Sequence, residues 1–157
     1  MSDAPARVNL FLEDFEIGEV FKTGARTIGE GMVDAFAGLT GDLHPVHVDE
    51  GAARAGLYGA RIAHGMLSLS ILQGLIVQTR YDLDTGVATV GWEKLRFPAP
   101  VFFGDTVRGE FTIKEARPSK SRPELGVVVE DCRLLNQRDE IVVSGEHVVM
   151  IRRRPPA

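Results

Sequence analysis

Apolar and polar residues alternate with two different periods along this chain, and the change of period divides it into a helical half and a stranded half. Residues 27–39 read TIGEGMVDAFAGL, where Ile28, Met32, Ala35, Phe36 and Leu39 recur at the three- and four-residue spacing of one helical face. Thr27 and Glu30 stand in a capping-box relation at its start. A short helical turn is expected over Asp49 to Ala55. From Ile62 to about Tyr81 apolar residues occupy nearly every side of the projected helix. That predicts a helix of roughly 27 Å enclosed by other elements.

The second half reads as a sheet. Val107, Gly109, Phe111 and Ile113 alternate with Arg108, Glu110, Thr112 and Lys114, as expected of a strand with one wet face. Similar runs cover Val87 to Phe97, Gly126 to Leu135 and Ile141 to Ile151, and a further strand is expected near Val20 to Thr27. The polar segment Asn136 to Glu140 is short enough to close an antiparallel hairpin. About five strands and one long helix, with no internal repeat or linker, predict one α+β domain over residues 1–157 in which an antiparallel sheet wraps the helix. Such a sheet leaves an edge strand and part of the helix open, so a homodimer or higher homo-oligomer is expected.

Bulk properties narrow the function. A length of 157 residues, 44% of them hydrophobic, suits a single core, and a net charge of −4 argues against a general nucleic-acid binder. The single cysteine, Cys132, excludes an intrachain disulfide and a multi-cysteine metal site, and its apolar neighbours suggest a packed thiol. The acidic N-terminal stretch lacks the layout of a signal peptide, and Ile62 to Val77 is too short and too interrupted to span a bilayer. A cytoplasmic location without membrane contact is expected. The tail Arg152, Arg153, Arg154, Pro155, Pro156 reads as a frayed end.

Chemistry concentrates between residues 38 and 67, GLTGDLHPVHVDEGAARAGLYGARIAHGML. Asp42 and His47 flank Pro45, which breaks a helix and lets both side chains face one cavity from a loop. Ala63, His64 and Gly65 then open the apolar stretch, where a helix start offers unpaired N–H groups to developing negative charge. The glycines Gly38, Gly41, Gly51, Gly56 and Gly59 lack the spacing of a phosphate loop and read as turns.

The set Asp42, Pro45, His47, then Ile62 through Leu67, strongly resembles the MaoC-like (R)-specific enoyl-CoA hydratases. Lys94 to Phe97, Pro100, Val101 and Gly104 to Thr106 extend the likeness, which runs from about Phe11 to Met150. The resemblance implies a hot-dog fold, dimeric subunits, and reversible addition of water to a trans-2-enoyl-CoA thioester, without metal or redox cofactor. It carries the catalytic pair onto Asp42 and His47 and the thioester-carbonyl donor onto the Gly65 N–H. Val46, Ala63 and Met66 are further candidates for substrate contact, and His64 either contacts substrate or fixes the loop before the helix. Two positions depart from the family. His44 stands where asparagine is common, and Gln73 where some members place a serine.

Outside the motif, Lys120 and Arg122 in the basic run of residues 117–123 are candidates for the phosphates of coenzyme A, or are simply a solvated hairpin tip. His147, among strand residues, reads as structural. Two other functions fit the same scaffold: a hot-dog thioesterase, which needs no histidine beside its acid, and a non-catalytic acyl-thioester-binding protein.

Overall fold

The computed structural model describes residues 7–155. A 3-10 turn, Leu12–Asp14, precedes strand β1 (Val20–Thr27). Three helices follow, α1 (Glu30–Thr40), α2 (Pro45–Val48) and α3 (Glu50–Ala55), and then the long helix α4 (Gly65–Gln78). Strands β2 (Gly86–Arg96), β3 (Thr106–Pro118), β4 (Leu125–Leu135) and β5 (Ile141–Arg152) complete the chain. The sheet has five strands in the order β1-β3-β4-β5-β2, every pairing antiparallel. With α4 packed against it, this is the hot-dog arrangement.

The period-two pattern of β3 translates directly into burial: Val107, Gly109, Phe111 and Ile113 point inward while their neighbours stay partly wet. They meet Leu67, Leu69, Leu72, Leu75 and Ile76 of α4 in one core. Each such side chain removed from water stabilises the fold by about 1.5–3 kcal/mol. The turn Asn136 to Glu140 closes because the Asn136 Oδ1 accepts from Arg138 N at 2.9 Å and Glu140 N at 3.1 Å.

Several expectations need correction. Helix α1 starts two residues later than a Thr27 cap would place it, at Glu30, with Gly29 as N-cap and no side-chain cap. Thr27 belongs to β1 and bonds Thr106 through its hydroxyl at 2.8 Å, and the Glu30 carboxylate pairs with Arg61 instead of closing a capping box. The long helix is shorter at both ends. Ile62 forms a β-bridge with Phe102 and the Ala63 N–H bonds the Val101 carbonyl at 2.8 Å, so backbone pairing outcompetes helix there. Nor is α4 enclosed on all sides, since Met66, Ser70, Gly74 and Val77 form an exposed stripe at helical spacing.

The tail is tied down, not frayed. Arg152 lies in β5, Arg153 Nε donates to Glu13 at 3.0 Å, and the Arg154 guanidinium grips both Asp14 oxygens at 2.7 and 2.8 Å. Pro156 lies outside the described residues. Cys132 is fully buried, and burial pushes its thiol far above the ordinary range. No helix among the described residues is long and apolar enough to cross a membrane.

Candidate active site

Asp42 reaches the site because α1 ends in a left-handed turn. Gly41, at φ 77°, closes that turn with its N–H on the Ala37 carbonyl at 2.8 Å, a conformation that costs a side-chain-bearing residue about 1–2 kcal/mol. Pro45 does not break a helix here. It starts one, as the first residue of α2, where its missing N–H costs nothing. His44 caps that helix: its Nδ1 accepts from the Val46 N–H at 3.3 Å, the service an asparagine oxygen would render. His47 therefore projects from a helical turn rather than from a loop.

Both inner histidines have their tautomers set by backbone carbonyls. His47 donates through Nδ1 to the Ile62 carbonyl at 2.8 Å, which leaves the Nε2 lone pair free. His64, 2% exposed at the N-cap of α4, donates through Nε2 to the Asp42 carbonyl at 3.0 Å. Its Nδ1 is buried with no partner among the described residues. The ring centroids of His47 and His64 lie 3.9 Å apart with the planes at 31°, and Phe36 packs against His64 with centroids 5.0 Å apart.

One side-chain atom each from Asp42, His47 and His64 falls within a 4.8 Å cluster. Burial, above all, holds the His47 ring below the ordinary histidine range, and His64 adds to the effect, while the Ile62 carbonyl and Asp42 oppose it. A neutral ring with a free Nε2 beside a carboxylate can accept a proton near pH 7. Ligating one tetrahedral cation would require unstacking the rings, because two such imidazoles hold their centres about 5 Å apart.

The cluster borders a cleft of about 180 Å³ lined by His47, Tyr58, Ala63, Gly65, Ser68 and Phe97, among others. Gly65 is the first residue of α4, so its N–H has no intrahelical acceptor. A Cβ on Gly65 would come within 3.1 Å of the Phe97 ring, so glycine here makes room for Phe97.

A family model described as "MaoC like domain" matches residues 14–131. The chain belongs to the MaoC-like family. Its relatives include the (R)-specific enoyl-CoA hydratase of Rhodospirillum rubrum, 33% identical over 144 residues, covering 92% of this chain and 93% of that protein. The 3-hydroxybutyryl-CoA dehydratase of Methylorubrum extorquens is 31% identical, with 94% and 88% covered. Among solved structures, a MaoC-like dehydratase from Rhodospirillum rubrum superimposes with a TM-score of 0.85 at 37% identity, covering 94% of this chain and 99% of that one.

Set on this MaoC-like frame, the residues singled out in the sequence separate. Asp42, His47 and His64 cluster, and Ala63 and Gly65 line the cleft beside them. Val46 and Met66 do not line it: Val46 serves through its backbone, accepting from Ile62 N at 3.2 Å, and Met66 lies on the exposed stripe of α4. Gln73 borders a separate cleft with Asp82, Thr89 and His147. Lys120 and Arg122 sit at the β3–β4 turn, beside the end of β5 opposite Val142, which lines the cleft beside the cluster. That is about 30 Å along the strand, so one chain does not bring them to its own cluster.

Sequence reasoning missed Arg61 and Ser68, and met Phe97 only within the family likeness, without placing it at the cleft. Ser68 is buried on the cleft wall with its hydroxyl on the His64 carbonyl at 3.2 Å, but a serine inside an apolar helix gives no periodic signal. An arginine immediately before the IAHGML run was the available clue to Arg61.

Proposed function

We propose that this protein adds water reversibly to trans-2-enoyl-CoA thioesters, giving (R)-3-hydroxyacyl-CoA, with Asp42 and His47 as the proton-handling pair. The observation that carries the reading is the 4.8 Å cluster beside the start of α4, in which the His47 tautomer is fixed with Nε2 free. The Rhodospirillum hydratase and the Methylorubrum dehydratase, alike over most of the chain, support the same chemistry.

In the forward direction a water lies between the Asp42 carboxylate and His47 Nε2. As its oxygen bonds to C3, Nε2 takes one of its protons and the double-bond electrons move onto the thioester oxygen. The Gly65 N–H meets that charge with a fixed dipole, an interaction of the kind whose removal costs on the order of 3 kcal/mol. The enolate then collapses, and the proton held on His47 passes to C2 on the face that the water approached. Asp42 orients the water and balances the transient imidazolium. No net proton is consumed.

The proposed working unit is a homodimer. Edge strand β2 exposes Val87 and Val90, and α4 exposes Met66 and Val77, apolar surface that a second copy would cover.

The test follows the conjugated enoyl absorbance of crotonyl-CoA and longer trans-2-enoyl-CoA esters beside a free-thiol assay, with Asp42→Asn as control. Loss of the enoyl signal without thiol, absent in the variant, supports the hydratase. Thiol release makes the protein a thioesterase, and binding without turnover across the panel makes it an acyl-thioester-binding protein.

A further inference from the structure

We propose that Arg61 is a positioning residue that locks His47 in its reactive orientation by tying it to α1. Arg61 is 8% exposed, although its side chain is the longest near the cluster. Its Nε donates to the His47 backbone carbonyl at 2.6 Å. The two terminal nitrogens hold Glu30, and Asp34 at 2.6 Å, both on the outer face of α1. The guanidinium lies 4.9 Å from the centre of the Phe103 ring. All three nitrogens and one face of the plane are thus engaged.

The neighbouring residue completes the grip. Ile62 accepts from the His47 ring through its carbonyl at 2.8 Å and donates its own N–H to the Val46 carbonyl at 3.2 Å. Residues 61 and 62 therefore hold the backbone and the ring of His47 from one two-residue segment. A lysine could satisfy the charge of Glu30 and Asp34, but not in a planar fork that also reaches the His47 carbonyl. Because a reacting base displaced by about 1 Å can lose on the order of a hundredfold in rate, a clamp that never touches substrate can govern turnover.

The catalytic consequence rests on the hydratase reading; the clamp itself does not. The experiment compares wild type with Arg61→Met, Arg61→Lys and the double variant Glu30→Gln/Asp34→Asn. Steady-state hydration of crotonyl-CoA gives kcat and KM. Nitrogen-15 NMR of the histidine rings gives the His47 tautomer and titration midpoint without reference to activity. The charged and titratable groups that face His47 are Asp42 and His44 from the segment before α2, His64 from the cap of α4, and Arg61 itself, with Glu30 and Asp34 behind it on α1.

For Arg61→Met the expected result is a kcat fall of at least about tenfold with KM little changed, a mixed His47 tautomer, and a midpoint moved up toward the ordinary histidine value of about 6.5 as water enters. Arg61→Lys and the double variant should fall between Met and wild type. A purely structural arginine would lower thermal stability in all three and leave tautomer and midpoint as in wild type. That result overturns the proposal, as does wild-type kcat in folded Arg61→Met. Should Arg61→Met fail to fold, the lysine and double variants decide by the same criteria. If wild-type protein hydrates no ester, the functional reading fails, and the NMR comparison still decides the clamp.

Discussion

Each end of α4 has a carboxylate and a buried histidine beside it, and the two pairs are finished in opposite ways. Beyond the C-terminal end, Glu130 is fully buried and takes the Tyr81 hydroxyl on one oxygen and His147 Nδ1 on the other at 2.8 Å. His147 Nε2 meets the Thr89 hydroxyl at 2.9 Å, and Trp92 stacks on the ring at 4.7 Å. Every polar atom is spent. At the N-terminal end, His47 and His64 each engage one ring nitrogen with a carbonyl and keep the other free, next to an exposed Asp42. The same residue types make a structural bolt where their hydrogen bonding is complete, and where it is left incomplete they make the open cluster to which we assign the proton chemistry.

Mutation should break that contrast most sharply at the open end. Asp42→Asn and His47→Ala are expected to lower kcat by about three orders of magnitude, as loss of a positioned acid–base group does, while thermal unfolding stays near wild type. Steady-state kinetics beside calorimetry check it; wild-type rates in both variants would remove the assignment. At the closed end the effects should reverse. Glu130→Ala leaves the Tyr81 hydroxyl and His147 Nδ1 without their partner and should cost about 3 kcal/mol of stability, read by urea denaturation, with turnover of the folded fraction within about twofold.

Smaller changes sharpen the picture. Gly65→Ala presses a methyl toward Phe97, so kcat should drop by about tenfold as the helix start shifts, and adding Phe97→Leu should recover part of the loss. Last is pH. Burial depresses the His47 value, so the acidic limb of kcat/KM should lie below the ordinary histidine midpoint of about 6.5. The sign for stability is the same. The unfolded chain binds this proton more readily, so the stability linked to neutral His47 is whole above about 6.5 and is lost as pH falls through the depressed folded value.

What could be read beforehand follows from where the information resides. Strand β1 fell on Val20 to Thr27 as expected, and β2, β4 and β5 came within one residue, because alternation over a half-buried sheet is written locally. Element ends were less legible. Ile62 and Ala63 look helical in composition, but Phe102 and Val101, some forty residues away, supply the backbone partners that take them out of the helix. The cluster of Asp42, His47 and His64 was legible as a motif, whereas its supports were not. Arg61 acquires a role only because α1 brings Glu30 and Asp34 to it, and those contacts span 31 and 27 residues.

The strand order has a consequence for how quickly the molecule assembles. Strands β3, β4 and β5 are successive hairpins, so their registers close over short loops, whereas β1 meets β3 through Thr27 and Thr106 with the whole helical segment in between. Loop closure over such a separation costs entropy before any contact rewards it. The three-stranded meander is then expected to form early, and the edge strands, with the segment that carries Asp42 and His47, last, an order that higher φ-values in β3–β5 than in β1 and α2 would bear out. On that order the cluster of Asp42, His47 and His64 is expected to assemble only once the rest of the molecule exists to hold it.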